Sequence, residues 1–225
     1  MIPDDQSFLA PRRYMREPIK EIFEAAEILD RATDAHLSGN YTLAEALIKS
    51  ADLPTVRAFT ESLWGAKKAN PDQWKYRRFR GIAGSPPFIR SSDKAKPTEG
   101  QKTCLVARDG CYCRFCGMPL IRVKVIEKFR SLYPDAAYWE GNKNQKQHAA
   151  FQCMWLQYDH VLPHSRGGAT SLENLVVTCA PCNYGRSQWT LEEVGLLDPR
   201  EFPRKSGSWD GLERILSSKT AKPQS

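Results

Sequence analysis

No stretch of this chain is apolar for long enough to cross a membrane, which takes about 20 consecutive apolar residues. The opening residues Met1-Ile2-Pro3-Asp4-Asp5 bring early negative charge and no apolar signal core. A secretory signal is therefore not expected, and the cytoplasm is the expected compartment. Seven cysteines would stay reduced there, so paired ones read as metal ligands rather than disulfides. Also lacking is any recognition helix with assignable base contacts. Residues 1–65 hold no catalytic constellation, and their lone His36 reads as structural because no metal-type residues lie near it.

What is present is unevenly charged. A chain of 225 residues suits one mid-sized domain, or a catalytic domain with a smaller companion. Residues 1–65 hold seven Lys/Arg against eleven Asp/Glu, residues 66–102 ten against three, and residues 103–225 sixteen against twelve. A basic centre beside a mildly basic C-terminal half suits a polyanionic partner, and it equally suits a solvated basic linker.

Periodicity divides the chain. Ile19, Ile22, Phe23, Ala26 and Leu29 recur at three- and four-residue steps, which predicts a helix over 17–37. Thr42 and Glu45 read as a capping box for a helix near 43–50, and a third helix is expected at about 54–65. These form a small helical N-terminal unit, 1–65. In 66–102, Lys67, Lys68, Lys75, Arg77, Arg78 and Arg80 interleave with Trp74, Tyr76 and Phe79, and then give way to a Pro/Ser-rich linker. Basic groups can neutralise phosphates and aromatics can stack on bases; the same residues can also pack between units and face water. A C-terminal unit is expected over 103–200, with an insertion at about 120–154 that includes a helix from Val123 to Leu132. A tail, 201–225, follows. It would dock if Trp209, Leu212, Ile215 and Leu216 form a helix, with its last residues disordered.

Two C-x-x-C pairs, Cys113/Cys116 and Cys179/Cys182, each set two thiolates on a tight turn. Together they make the four ligands of a closed structural zinc site. They are 62 residues apart, which loop entropy tolerates. Cys104 and Cys153 read as buried small residues, and His148, in the polar part of the insertion, as exposed.

The tract from Tyr158 to Asn183 carries the chemistry. Leu156–Val161 and Leu175–Val177 read as strands, and a helix begins near Pro181. Asp159 and the amide oxygen of Asn183 suit the sparse oxygen ligand set of a hard divalent cation. His160, neutral near pH 7, can take a proton from water, and Asn174 is a candidate to hold its ring. Arg166 and Arg186 are candidates to grip phosphate. Arg108-Asp109-Gly110, Cys113-x-x-Cys116-Gly117, Asp159-His160-Val161-x-Pro163, Ser165-Arg166-Gly167-Gly168, Asn174-Leu175 and Cys179-x-x-Cys182-Asn183 together resemble the landmarks of the zinc-containing HNH endonucleases. The likeness covers about residues 105–190.

That resemblance implies an α+β chain with a ββα-metal core and structural Zn²⁺. It makes His160 the general base, Asp159 and Asn183 the ligands of a catalytic metal, and Asn174 the group that positions His160. The family often has His where this chain has Asn183, and the substitution favours Mg²⁺ or Mn²⁺. The implied activity is cleavage or nicking of double-stranded DNA, in restriction or anti-phage defence. Two other readings stay open: a non-catalytic zinc-stabilised nucleic-acid-binding module, and a structural zinc protein that binds a protein partner through its N-terminal unit.

Overall fold

The computed structural model describes residues 10–65, 79–89 and 95–218. Lys67, Lys68, Lys75, Arg77 and Arg78 lie outside these residues, as does the end of the tail.

Three helices open the described chain: α1 (Lys20–Leu37), α2 (Tyr41–Ser50) and α3 (Pro54–Leu63). On α1 the buried positions Ile22, Ala25, Ala26, Leu29 and Ala32 follow the expected helical spacing. Helix α2 begins earlier than expected. Its cap is Asn40, whose side chain accepts from Leu43 N, rather than Thr42. Helix α4 (Glu99–Asp109) crosses the boundary expected at 102/103. It starts there because Thr98 and Gln101 form a reciprocal capping box. Helix α5 (Val123–Leu132) has the expected bounds, and α6 (Ala149–Cys153) follows.

The C-terminal core is small. Strands β1 (Leu156–His160) and β2 (Leu175–Cys179) pair antiparallel, with Tyr158 opposite Val177 and His160 opposite Leu175. Cys179 passes straight into α7 (Ala180–Arg186), with Pro181 in its first turn. Every residue of β2 is buried. Its free edge is clamped twice: Asp109 accepts from Val177 N at 3.2 Å, and Arg114 N donates to Val177 O at 3.0 Å. Arg108 braces this clamp by donating to both Asp109 oxygens at 2.7 Å and to the carbonyls of Leu172 and Leu175. Beyond Arg200, Trp209 donates to Leu120 O at 2.9 Å and a 3-10 turn at Glu213–Ser217 packs on α5 and α1, so this part of the tail docks.

The N-terminal helices share a single core with this unit. Helix α3 packs on α6 and α7, and α1 on α2 and α6. Val56, Phe59 and Leu63 join Phe129, Phe151 and Val177 in one apolar cluster. The 120–154 segment is what joins them. Arg57 donates to Gln147 O at 2.8 Å, to Tyr138 Oη at 2.9 Å and to the Asn144 carbonyl. Asp52 accepts from Ala149 N at 2.7 Å. His148, expected to be exposed, is fully buried with Nε2 2.9 Å from Ile48 O. Its polarity is met by a backbone carbonyl 100 residues away, which the local sequence does not reveal. Cys104, expected to be buried, is exposed on α4, whereas Cys153 is buried. His36 packs against Tyr133, with Nδ1 2.7 Å from its hydroxyl. Among the described residues, no helix is long and apolar enough to cross a membrane.

Burial lowers the pKa of His148 and of His36 below the ordinary imidazole value. The folded chain therefore binds fewer protons than the unfolded chain below about pH 6.5, so stability is full above that value and is lost as pH falls through the folded pKa values. The melting temperature should drop on acidification from pH 7 to 5, and His148→Gln should flatten that slope in a thermal melt series.

Candidate active site and metal centre

The two cysteine pairs meet. The sulfurs of Cys113, Cys116, Cys179 and Cys182 all lie within 4.8 Å of one another, and Cys116 Sγ is 3.8 Å from Cys179 Sγ. A tetrahedron with Zn–S bonds of about 2.3 Å has edges of about 3.8 Å, so the cluster fits zinc. A disulfide needs about 2.05 Å, and all seven cysteines are free. The first turn is closed by Gly117 N to Cys113 O at 2.8 Å and Cys113 N to Met118 O at 2.9 Å, with Gly117 in the left-handed region at φ +74°. The second sits at the start of α7, where Cys179 Sγ accepts from Cys182 N at 3.4 Å. A cation here would fasten residue 113 to the helix that carries Asn183.

Asp159 and His160 end β1, and both are buried. Arg186, from the last turn of α7, reaches back to them through a buried guanidinium. Its Nε and Nη2 donate to the two Asp159 oxygens at 3.1 and 2.6 Å. Nη2 also donates to His160 O at 2.6 Å, and Nη1 to Val161 O at 3.3 Å and Trp189 O at 2.8 Å. Burial pushes the Asp159 carboxyl above its ordinary range, and Arg186 opposes that rise. The bidentate fork leaves one lone pair on each carboxylate oxygen. Asn183 is half-buried on α7, and among the described residues its carboxamide has no hydrogen-bond partner. The donor set is thus two hard oxygens, one paired with a cation and one free.

His160 Nε2 lies 3.0 Å from Thr170 Oγ1. Among the described residues no partner meets Nδ1. Burial foremost, then the charges of His164 and Arg186, lowers the imidazole pKa to about 4. The ring is therefore neutral at pH 7. His164 stands beside it, with ring centroids 5.5 Å apart.

Several expected roles change. Asn174 does not hold the His160 ring. Its Oδ1 accepts from Leu162 N at 2.9 Å, and its Nδ2 donates to Leu162 O and Ala169 O at 3.0 and 2.9 Å. It clamps the neck of the loop between the strands, and the ring contact falls to Thr170 inside that loop. The loop closes so tightly that a Cβ on Gly168 would sit 1.8 Å from Leu162 O. Arg166 and Arg186, expected to grip phosphate, are turned inward. Arg166 is buried, with Nη2 3.0 Å from both Glu193 oxygens. A guanidinium already neutralised and desolvated by a carboxylate is not offered to a phosphate. Thr190 and Glu193 form a reciprocal cap, and the same Glu193 carboxylate holds Arg166. Arg80 is exposed, with its amide donating to Glu193 O at 2.8 Å. Neither Thr170 nor the second task of Glu193 has a spacing signal, because both depend on loop closure.

The family model described as HNH endonuclease matches residues 142–188. The match spans the strand pair, its loop and α7, so this stretch is similar to an HNH domain, and the first cysteine pair lies outside it. Neither a curated protein nor a solved structure matches the chain. Proteins of the matched family are nucleases that act on DNA.

If the cysteine cluster holds zinc, purified protein should carry about one zinc per chain by elemental analysis. Cys113→Ser should lose most of the metal and lower the melting temperature. A zinc-free parent with an unchanged melt would count against the site.

Proposed function

We propose that this protein is a divalent-metal-dependent DNA endonuclease or nickase that hydrolyses phosphodiester bonds. The observation that carries the reading is the His160 imidazole directly after the buried Asp159, with Nε2 on Thr170 and, among the described residues, no partner at Nδ1. When Nε2 carries the hydrogen and donates to Thr170 Oγ1, Nδ1 keeps its lone pair and can take a proton from an attacking water. Thr170 holds the ring plane through Nε2. Asn174 holds the loop that carries Thr170, and so acts on the ring at one remove. Arg186 holds the backbone at His160 and Val161, which sets the direction of the imidazole.

Asp159 and Asn183 would hold Mg²⁺ or Mn²⁺. A cation bound there would act as a Lewis acid on the phosphate and the leaving oxygen. One such site cuts one strand at a time, so double-strand cleavage needs a second site or a second visit. Restriction or anti-phage defence is the setting we carry from the family likeness, and double-stranded DNA the substrate.

A second reading, a non-catalytic zinc-stabilised nucleic-acid-binding module, is favoured by one observation. Both Asp159 oxygens already face Arg186.

With Mg²⁺ or Mn²⁺ the protein should nick supercoiled plasmid. His160→Ala should slow this by at least about a hundredfold, the ordinary contribution of a positioned base. Equal rates would remove His160 as the base, and DNA binding without cleavage under any metal would establish the second reading. Thr170→Val should lower kcat by about tenfold or more with KM little changed, because it frees the ring without touching the base itself.

A further inference from the structure

Residues 79–89 form a strap over the loop that follows His160. Ile89 N donates to Ser165 O at 2.8 Å, Arg80 N to Glu193 O at 2.8 Å, and Arg166 to the Pro86 carbonyl. The strap sets two aromatic rings on rigid supports. Phe79 stacks on Trp189, with centroids 3.7 Å apart and 11° between the planes. Phe88 meets the same indole edge-on at 5.8 Å, and the buried Arg166 guanidinium lies 3.5 Å from the Phe88 centroid.

Each ring is backed by these neighbours and half exposed. Phe79 is 51% exposed, Phe88 50%, Ile89 46%, and Leu162, in the loop beneath, 36%. Large apolar side chains gathered in the open mark a contact site. Fixed rings also lose little freedom when something stacks on them. The charge says what the occupant is. The strap continues directly from the run Lys67, Lys68, Lys75, Arg77, Arg78 and Arg80, in a segment with ten Lys/Arg against three Asp/Glu. The exposed Arg80 next to Phe79 in the chain, in a segment rich in Lys/Arg, together with half-exposed rings, suits unpaired nucleotides: phosphates meet cations and bases stack on rings. A closed duplex hides its base faces in its own stack and shows only edges, so it cannot use such a surface.

We infer that Phe79 and Phe88, backed by Trp189 and Arg166, are a stacking platform for unpaired bases of a nucleic-acid strand. Its place beside the cut rests on the nuclease reading of the His160 site: the strap is pinned to Ser165, next to His164, and Trp189 is held by Arg186, which also holds Asp159. The favoured substrate then has single-stranded nucleotides next to the cut, as in a bubble or a flap.

The test is fluorescence anisotropy on the full chain without added divalent cation, using labelled oligo-dT of about 20 nucleotides and a duplex of equal length. Phe79→Ala and Phe88→Ala should each weaken oligo-dT binding about tenfold and duplex binding less than about twofold. Phe88→Leu keeps apolar volume over Arg166 but removes the ring; it should show the same loss with an unchanged melting temperature, and Phe88→Trp should restore binding. Oligo-dT affinity within about twofold of the parent in all these variants, or equal losses on duplex and oligo-dT, overturns the platform. Cleavage with Mg²⁺ of a bubble against a closed duplex separates the two readings. No cleavage of either, with the binding loss intact, removes the nuclease and keeps the platform; cleavage with unchanged oligo-dT binding does the reverse.

Discussion

The Arg186 guanidinium is the interaction on which the candidate site depends. It is buried, and its donors reach both Asp159 oxygens and the carbonyls of His160, Val161 and Trp189. One side chain thereby ties the last turn of α7 to the end of β1. A buried pair of this kind costs about 3–5 kcal/mol to break by removing one partner, because the other is left charged and unpaired. It also sets the charge balance where a cation would sit: Asp159 arrives already paired with one positive charge and Asn183 adds none. A metal there would bind weakly and count on phosphate oxygens and water for its remaining ligands.

Around this contact the molecule is built inward from its edges. A cation in the cysteine cluster would fix the N-terminal end of α7, and Arg186 fixes the C-terminal end. The N-terminal helices press on the same helix, where Trp64 stacks on Tyr184 at 4.1 Å and Leu63 lies against Gly185. The segment 120–154 had no evident task in the sequence. In the fold it supplies Asn144, Gln147, His148 and Ala149 as partners for α2, α3 and the turn between them. Helices α1 to α3 thus support the strand pair and α7 directly.

Much of the core was legible because its signals are local. C-x-x-C turns, the Asp159-His160 strand end, Gly167-Gly168 and Pro181 each report a backbone shape that a few neighbouring residues determine. The helix over 123–132 was readable because an apolar stripe at helical spacing has one way to be buried. Contacts were illegible where a polar side chain takes its partner through loop closure or from another element. Arg166 and Arg186 look like phosphate ligands until Glu193 and Asp159 are placed against them. Asn174 looks like a ring-holder until the loop folds back on it and puts Thr170 there. His148 looks solvated until Ile48 O meets it.

The sequence by itself determined the order of Asp159, His160, Asn174 and Asn183 and the two C-x-x-C turns, because each is set by short local spacings. Tertiary structure alone decided which arginines are spoken for, which hydroxyl meets the His160 ring, and that residues 79–89 lie across the loop with Phe79 and Phe88 open to solvent. Those outcomes turn on burial and on which charge reaches which partner. Both are properties of the packed molecule, with partners drawn from across the chain.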